Sequence, residues 1–437
     1  MAGRLIAVED RIRLEYERVR AGVGDDGVDA GLRQLYIDAG EVAERLEDLD
    51  RQAERLDEAR LQGLVDDFGL DEFERDVLVS CVLAELDPGS GRVYGYLQDD
   101  MSRRSPTVGL LLRLFADDES RRAAFHPTAP LMHHGLVRLT GLAESSLGAM
   151  VVVVDERIVS HLLGCDGIDS RLAPWTQVEA EPIPRLLTER QFTSVVDLAH
   201  AGAQATVLVG SGGEGRREAA RLYAHLLDAP LLVIDVPTLL GCPVCHPREA
   251  VRLVVREALL ESAVVYWDGG EEFWGDDERA PGARRSLEAE LRTAAVVCLF
   301  GARPGWEPPP MFVGQPFRVY TLPAPTSDER WQAWTGALSE AGVDVEPIAG
   351  DITALALAFR LTVPQIADAV AVALAAAGPD GAPSGRDLRA GARAVSGRGL
   401  AALSTEIVPK ASWDHLVLHQ DAVDQLGELC STVLHHS

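Results

Sequence analysis

The chain is almost without lysine: among 437 residues Lys410 stands alone against forty arginines. A phosphate-binding loop ending Gly-Lys-Ser/Thr therefore occurs nowhere in it, because the ammonium that reaches the β/γ-phosphates is missing. Long apolar runs are missing too. No stretch approaches the ~18–20 residues a membrane span requires, and Met1-Ala2-Gly3-Arg4 leads into a polar amphipathic pattern rather than a signal segment. Six scattered cysteines make no disulfide framework, so a reducing cytoplasm is the expected setting. Positive charge is in deficit, and a formal charge of −27 argues against a nucleic-acid partner, which selects for a basic face. What is present is ample apolar material: 47% hydrophobic residues suffice for several ordinary cores.

Residues 1–63 read as a helical N-terminal region. Leu5, Ile6, Ile12, Leu14 and Tyr16 give a loose apolar pattern, Asp25-Asp26-Gly27 interrupts it, and a second helix is expected over Gly31–Leu61. The pattern tightens over 64–165. Asp71–Leu86 predicts a helix whose apolar face carries Phe73, Val77, Leu78, Cys81 and Val82, stopped by Asp87-Pro88-Gly89. Ser105-Pro106 reads as N-cap and first position of a further helix through Leu110–Leu114. Gly135–Leu139 and Ala149–Val154 read as the strands of a hairpin. Short helices followed by a hairpin predict a winged-helix-like domain. Residues 71–165 hold 14 Asp/Glu against 9 Arg, a net of −5, so a protein-interaction or structural role is expected rather than DNA binding. His133-His134 precede the hairpin with no Asp, Glu or Cys at ligand spacing and read as ordinary surface or turn histidines.

Residues 166–200, with Pro174, Pro182 and Pro184, form a connector. Strand patterns then alternate with helices: Ala205–Val209, Leu231–Val236, Ala263–Trp267, Ala295–Phe300 and Phe317–Leu322, with helices over 248–261 and 284–293. Apolar strands separated by helices imply a parallel sheet covered on both faces, here an α/β core over 201–325. Helices over 326–341, 351–359, 363–377 and 385–396 would form a lid spanning 326–405.

Gly210-Ser211-Gly212-Gly213-Glu214-Gly215-Arg216-Arg217 has the spacing of a P-loop between a strand and a helix, with Arg216 at the lysine position and Arg217 at the hydroxyl position that would hold Mg²⁺. Val264-Val265-Tyr266-Trp267-Asp268 reads as a Walker B strand, and Leu322-Pro323-Ala324-Pro325 leads into the lid with Arg330 and Trp331. On these features residues 180–405 resemble the AAA+ ATPases. The resemblance implies an ATP site touched by Gly210, Gly212, Gly215, Arg216 and Asp268. It also exposes departures: Gly269 follows Asp268 where the family has a Glu that polarises water, with Glu271 and Glu272 displaced into a Gly-led loop. Gly301-Ala302 stand at the polar sensor position, and Thr362-Val363-Pro364-Gln365 open the helix where a sensor Arg is usual. Mg²⁺ bridges the phosphates in phosphoryl transfer, so Arg217 would repel the ion and Glu214 the phosphates. No catalytic residue and no metal is expected in this module, and only weak Mg²⁺-independent nucleotide binding stays open.

Cys242-Pro243-Val244-Cys245-His246 has half of a zinc framework and no second pair to close it. Leu239-Leu240-Gly241 occupies the place of the family's substrate-gripping loop without its aromatic. Residues 406–437, with Trp413–Leu418 and then Val423, Leu426, Leu429 and Val433 at helical spacing, resemble the lead-in to a further AAA+ module. The whole layout resembles the large AAA+ ATPases associated with bacterial contractile injection systems. It implies a cytoplasmic protein that self-associates into a ring and meets a protein partner, with no nucleic acid or membrane involved. ATP hydrolysis would then lie in a following module. The alternative is a non-enzymatic scaffold recruiting a partner through residues 1–165.

Overall fold

The computed structural model describes residues 5–22, 55–86, 91–100, 102–142, 144–179, 186–210, 213–243, 245–310, 312, 314, 318–378, 382–396 and 419–435. Most of the helix expected over Gly31–Leu61, and Trp413–Leu418, lie outside them. Two compact units divide the chain. The first comprises Met1–Val178, Ile234–Ala263 and Glu272–Val296; the second comprises Glu179–Val233, Val264–Glu271 and Val297–Ser437.

The first unit opens with α1 (Leu5–Gly22), where Val8, Ile12 and Tyr16 recur every four residues and are buried. Helix α2 (Glu58–Phe68) is capped by the Asp57 carboxylate, which accepts from the Ala59 and Arg60 N–H groups. It ends at Gly69, whose φ of +63° closes the last turn. Then follow α3 (Glu72–Leu86), α4 (Gly91–Leu97), α5 (Val108–Phe115) and α6 (Pro130–His133). Strands β1 (Val137–Thr140) and β2 (Val151–Val154) pair antiparallel, Val137 opposite Val154, as the hairpin expected of a wing. Helix α7 (Glu156–Leu162) and strand β3 (Thr176–Glu179) complete this stretch.

The start of α5 differs from the sequence reading. The cap of α5 is Thr107, whose hydroxyl accepts from the Leu110 N–H, not Ser105. The reason is pairing: Val152 N–H donates to Pro106 O, and Thr107 forms an antiparallel bridge with Val151. Pro106 thus lies in extended chain beside β2, and the helix cannot begin until that edge has been used.

The remaining elements are α8 (Glu189–His200), β4 (Ala205–Val209), α9 (Gly213–Leu226), β5 (Leu231–Asp235), α10 (Val236–Gly241), α11 (Pro247–Leu260), β6 (Val264–Asp268), α12 (Ala280–Thr293), β7 (Cys298–Ala302) and β8 (Arg318–Thr321). Of these, α10, α11 and α12 belong to the first unit. There Arg256 of α11 is fully buried, donating to Asp169, Asp155 and the Gly135 carbonyl. One residue on, Glu257 accepts from Arg157 at 2.9 Å.

The sheet has the order β3-β5-β6-β7-β4-β8. Its inner strands pair in parallel, β4 with β7 and β8, and β6 with β7. Val207, Leu208, Tyr266, Trp267, Leu299 and Phe300 are all buried, as a sheet covered on both faces requires. Strand β7 begins three residues later than expected and so takes in Gly301 and Ala302.

The lid consists of α13 (Ser327–Glu340), α14 (Ala349–Ala358), α15 (Val363–Ala377) and α16 (Gly385–Ser396), gathered on Trp334, Leu338, Ile352, Leu355, Ile366 and Leu388. Helix α17 (Gln420–His435) follows, realising the helical spacing of Val423 to Val433. Capping boxes start α13 (Thr326 with Glu329) and α15 (Thr362 with Gln365). Gly391 of α16 lies so close to α15 that a Cβ there would sit 2.3 Å from the Ala369 carbonyl oxygen.

Glu329 also binds Arg190 of α8 at 2.9 Å, and that hydrogen bond, aided by those from Thr326, pulls its carboxyl down to about 2. A carboxyl depressed in the folded state contributes stability above its unfolded pKa and loses it as the pH falls. The stability gap between wild type and Arg190→Ala should therefore be open at neutral pH, narrow below about pH 4.5 and close near pH 2 in acid-unfolding curves. Because Arg190 is half exposed, solvent screening should keep the gap small.

Candidate functional site

Gly210, Arg216, Asp268 and Ala302 come together at the C-terminal ends of β4, β6 and β7, where an open parallel sheet places its ligands. Gly210 leaves β4; Ser211 and Gly212 lie outside the described residues; Gly215 and Arg216 sit in the first turns of α9. Arg216 is buried and folds back into the loop. Its Nη1 donates to the Gly210 carbonyl at 2.7 Å and to the Ala302 carbonyl at 3.0 Å. Its Nη2 lies 3.7 Å from the Asp268 carboxylate. The close fit is visible at Gly210, where a Cβ would meet the Arg216 side chain and Leu322 at 3.4 Å each.

Asp268 also accepts from the Tyr266 hydroxyl at 3.3 Å, and burial raises the Tyr266 pKa, keeping the phenol protonated. That hydroxyl fills the space beside Gly301, where a Cβ would stand 2.2 Å from it. Any side chain at the sensor position would displace Tyr266, a constraint the sequence did not reveal.

Arg217 is engaged elsewhere, its Nη2 bonding Glu179 at 2.8 Å. Arg221 binds Glu179 and Glu218 as well. Burial raises the Glu179 carboxyl, but the Arg221 hydrogen bond and the Arg217 charge outweigh it and hold it below its ordinary value. It is therefore Arg216, not Arg217, whose charge faces Asp268.

Gly269, with φ of +72°, turns the chain immediately after Asp268. Beyond the turn, Glu271 is buried and accepts from Arg303 Nε at 2.8 Å. Above the loop, the cap residue of α15, Thr362, has its methyl 3.9 Å from where a Cβ on Gly215 would lie. An open groove of about 1150 Å³ runs between α8 and the lid, lined by Thr188, Arg190, Pro323, Glu329 and Val363.

Residues 12–176 match the family model for a winged helix domain, variant. Residues 326–398, the lid, match that for the contractile injection system ATPase helical domain. Solved structures similar to this chain include the FIGL-1 AAA domain and the same domain in complex with ADP. Both are 14% identical, with a TM-score of 0.42, over 61% of this chain and 97% and 98% of theirs. No curated protein matches it in sequence. No helix among the described residues is long and apolar enough to cross a membrane.

Two lesser sequence features change standing. Leu239 and Leu240, at the place of the substrate-gripping loop, are buried within α10. The histidine pair is not an ordinary surface turn: Glu290 of α12 comes within 3.0 Å of His133 Nε2 and 3.6 Å of His134 Nδ1. Burial, opposed in part by Glu290, pushes His134 down to about 4, so its ring is neutral at physiological pH. Cys242 and Cys245 are free and half-buried, and His246 spends its ring capping α11. Among the described residues, His133, His134 and Glu290 alone bring three metal-ligating atoms together.

Proposed function

We propose that the module over residues 201–405 is a degenerate AAA+ nucleotide site, retained for assembly and regulation, with ATP hydrolysis supplied by a following module of the same family. The observation that carries this reading is the placement of Arg216. A lysine at this point of a P-loop reaches outward to phosphates. The Arg216 guanidinium is instead hydrogen-bonded inward to two backbone carbonyls and lies beside Asp268, the carboxylate that would support Mg²⁺. Two unit charges ~4 Å apart interact by about 4 kcal/mol at an effective dielectric near 20. A divalent ion brought to Asp268 would meet that repulsion at least once, and no Glu follows Asp268 to activate water. If nucleotide touches the module at all, Gly210, Gly212, Gly215, Arg216 and Asp268 are the residues to meet it, without Mg²⁺.

Titration calorimetry of the 437-residue chain with ATP is expected to be silent with Mg²⁺ and to show at most weak heat without it. Mg²⁺-dependent binding would mean that Arg216 leaves its carbonyls readily, and the reading fails. The assembly role predicts a cytoplasmic protein whose light-scattering mass rises with concentration toward a ring. A stable monomer that captures a protein partner through residues 1–165 would favour the scaffold reading, which the acidic balance of the winged-helix domain supports.

A further inference from the structure

We propose that His133, His134 and Glu290 form a zinc site in the first unit, with His133 Nε2, His134 Nδ1 and a Glu290 carboxylate oxygen as ligands. Two imidazoles and a carboxylate are a donor set zinc accepts, with bonds of about 2.0–2.2 Å. A tetrahedron of such bonds separates its ligand atoms by roughly 3.3 Å. His133 Nε2 lies 3.0 Å from Glu290 Oε1 and His134 Nδ1 lies 3.6 Å from Glu290 Oε2, on either side of that figure, and one ligand atom from each residue falls within 4.8 Å of the others.

A second observation points to a ligand. Among the described residues, His134 Nδ1 and Glu290 Oε2 are buried polar atoms without a hydrogen-bond partner, on side chains only 9% and 1% exposed. Burying such atoms unsatisfied costs free energy, and the two lie 3.6 Å apart. A cation there would satisfy both.

The surroundings hold the ligands in place. His133 ends α6 and His134 caps it, so the two rings leave adjacent backbone positions and meet edge to face, centroids 4.8 Å apart. Phe68 holds the His134 ring from another side at 5.1 Å. Arg252 and Arg256 are the nearby cations acting on His134. Arg256 is already balanced by Asp169 and Asp155, which reduces its opposition to a bound ion. His133 is 30% exposed, giving an ion a way in and leaving a fourth position for water. Imidazole nitrogen with one carboxylate favours zinc or a neighbouring transition metal over Ca²⁺ or Mg²⁺, which prefer all-oxygen shells. The consequence is mechanical: a bound ion would clamp the end of α6 to α12.

The test uses the full, tag-free chain, stripped with chelator and titrated with Zn²⁺, with Co²⁺ as a spectroscopic stand-in. One equivalent should bind, and Co²⁺ should give tetrahedral bands without a sulfur-to-metal charge-transfer band. His133→Ala, at a partly exposed position, should weaken Zn²⁺ by more than about tenfold, a loss already typical of removing a supporting partner alone. Glu290→Gln, which keeps the volume, should do the same with unchanged circular dichroism. Cys242→Ser with Cys245→Ser should leave affinity unaltered. Absence of Zn²⁺ binding, or binding indifferent to His133→Ala, or a thiolate band lost with the two cysteines, would each overturn the assignment.

Discussion

Arg256→Ala should destabilise the first unit by about 3 kcal/mol, near the lower end of the ~3–5 kcal/mol typical of breaking a buried ion pair from one side. Arg256 is 0% exposed and Asp169 is 4% exposed, with Nη2 and Oδ2 2.6 Å apart. Removing the guanidinium withdraws the donor to the Gly135 carbonyl and one of the cations paired with Asp169 and Asp155. The loss stays near 3 kcal/mol because Arg171 still grips Asp169 at 2.5 Å from its solvent side. Replacing both partners, Arg256→Met with Asp169→Leu, should cost less than Arg256→Ala, since no charge is then left buried and alone. Denaturant unfolding gives the total, and hydrogen exchange assigns it: protection should fall over residues 135–169 and along α11 while the lid is unchanged. A loss below about 1 kcal/mol, or one spread evenly over the chain, would show that the network does not hold this region.

The second large effect belongs to the lid. Trp334→Ala should cost about 3–5 kcal/mol, because a fully buried indole at the centre of α13–α16 leaves a void bounded by all four helices. The polar edge of that indole separates two contributions. Trp334 Nε1 is buried with no hydrogen-bond partner among the described residues, so Trp334→Phe removes an unsatisfied donor along with some volume and should cost less than about 1.5 kcal/mol. Hydrogen exchange within α13–α16 should show a steep loss of protection for alanine and near-native protection for phenylalanine. Equal losses in the two variants would mean that the N–H has a partner and that packing is not the dominant contribution.

Several elements were legible because their signals are local. Strands β4, β5 and β6 and the four lid helices fall within a few residues of their apolar patterns, since period and capping chemistry are written in adjacent residues. Thr362 and Gln365 even announce the capping box that starts α15. Boundaries failed where pairing partners decide them. Ser105-Pro106 has the chemistry of a helix start, yet the edge of β2 claims Pro106 and Thr107 first. The onset of β7 moved from Ala295 to Cys298 because its register is set by Ala205 and Val265 on the flanking strands.

The candidate sites divide the same way. From the sequence alone it followed that no lysine could serve the Gly210 loop, that Gly269 follows Asp268, and that the balance of charge is acidic. Those are statements about which groups exist, and composition and order determine them. Only the tertiary structure decided where the groups go. An arginine side chain has many carbonyls and carboxylates within reach, and the ends of β4, β6 and β7 choose Gly210, Ala302 and Asp268 for Arg216 while Glu179 takes Arg217. His133 and His134 carry no ligand at local spacing, and it is the packing of α12 that delivers Glu290 to them. Side-chain chemistry is inherited residue by residue, but proximity between distant residues exists only after the helices and strands have buried their apolar faces against one another.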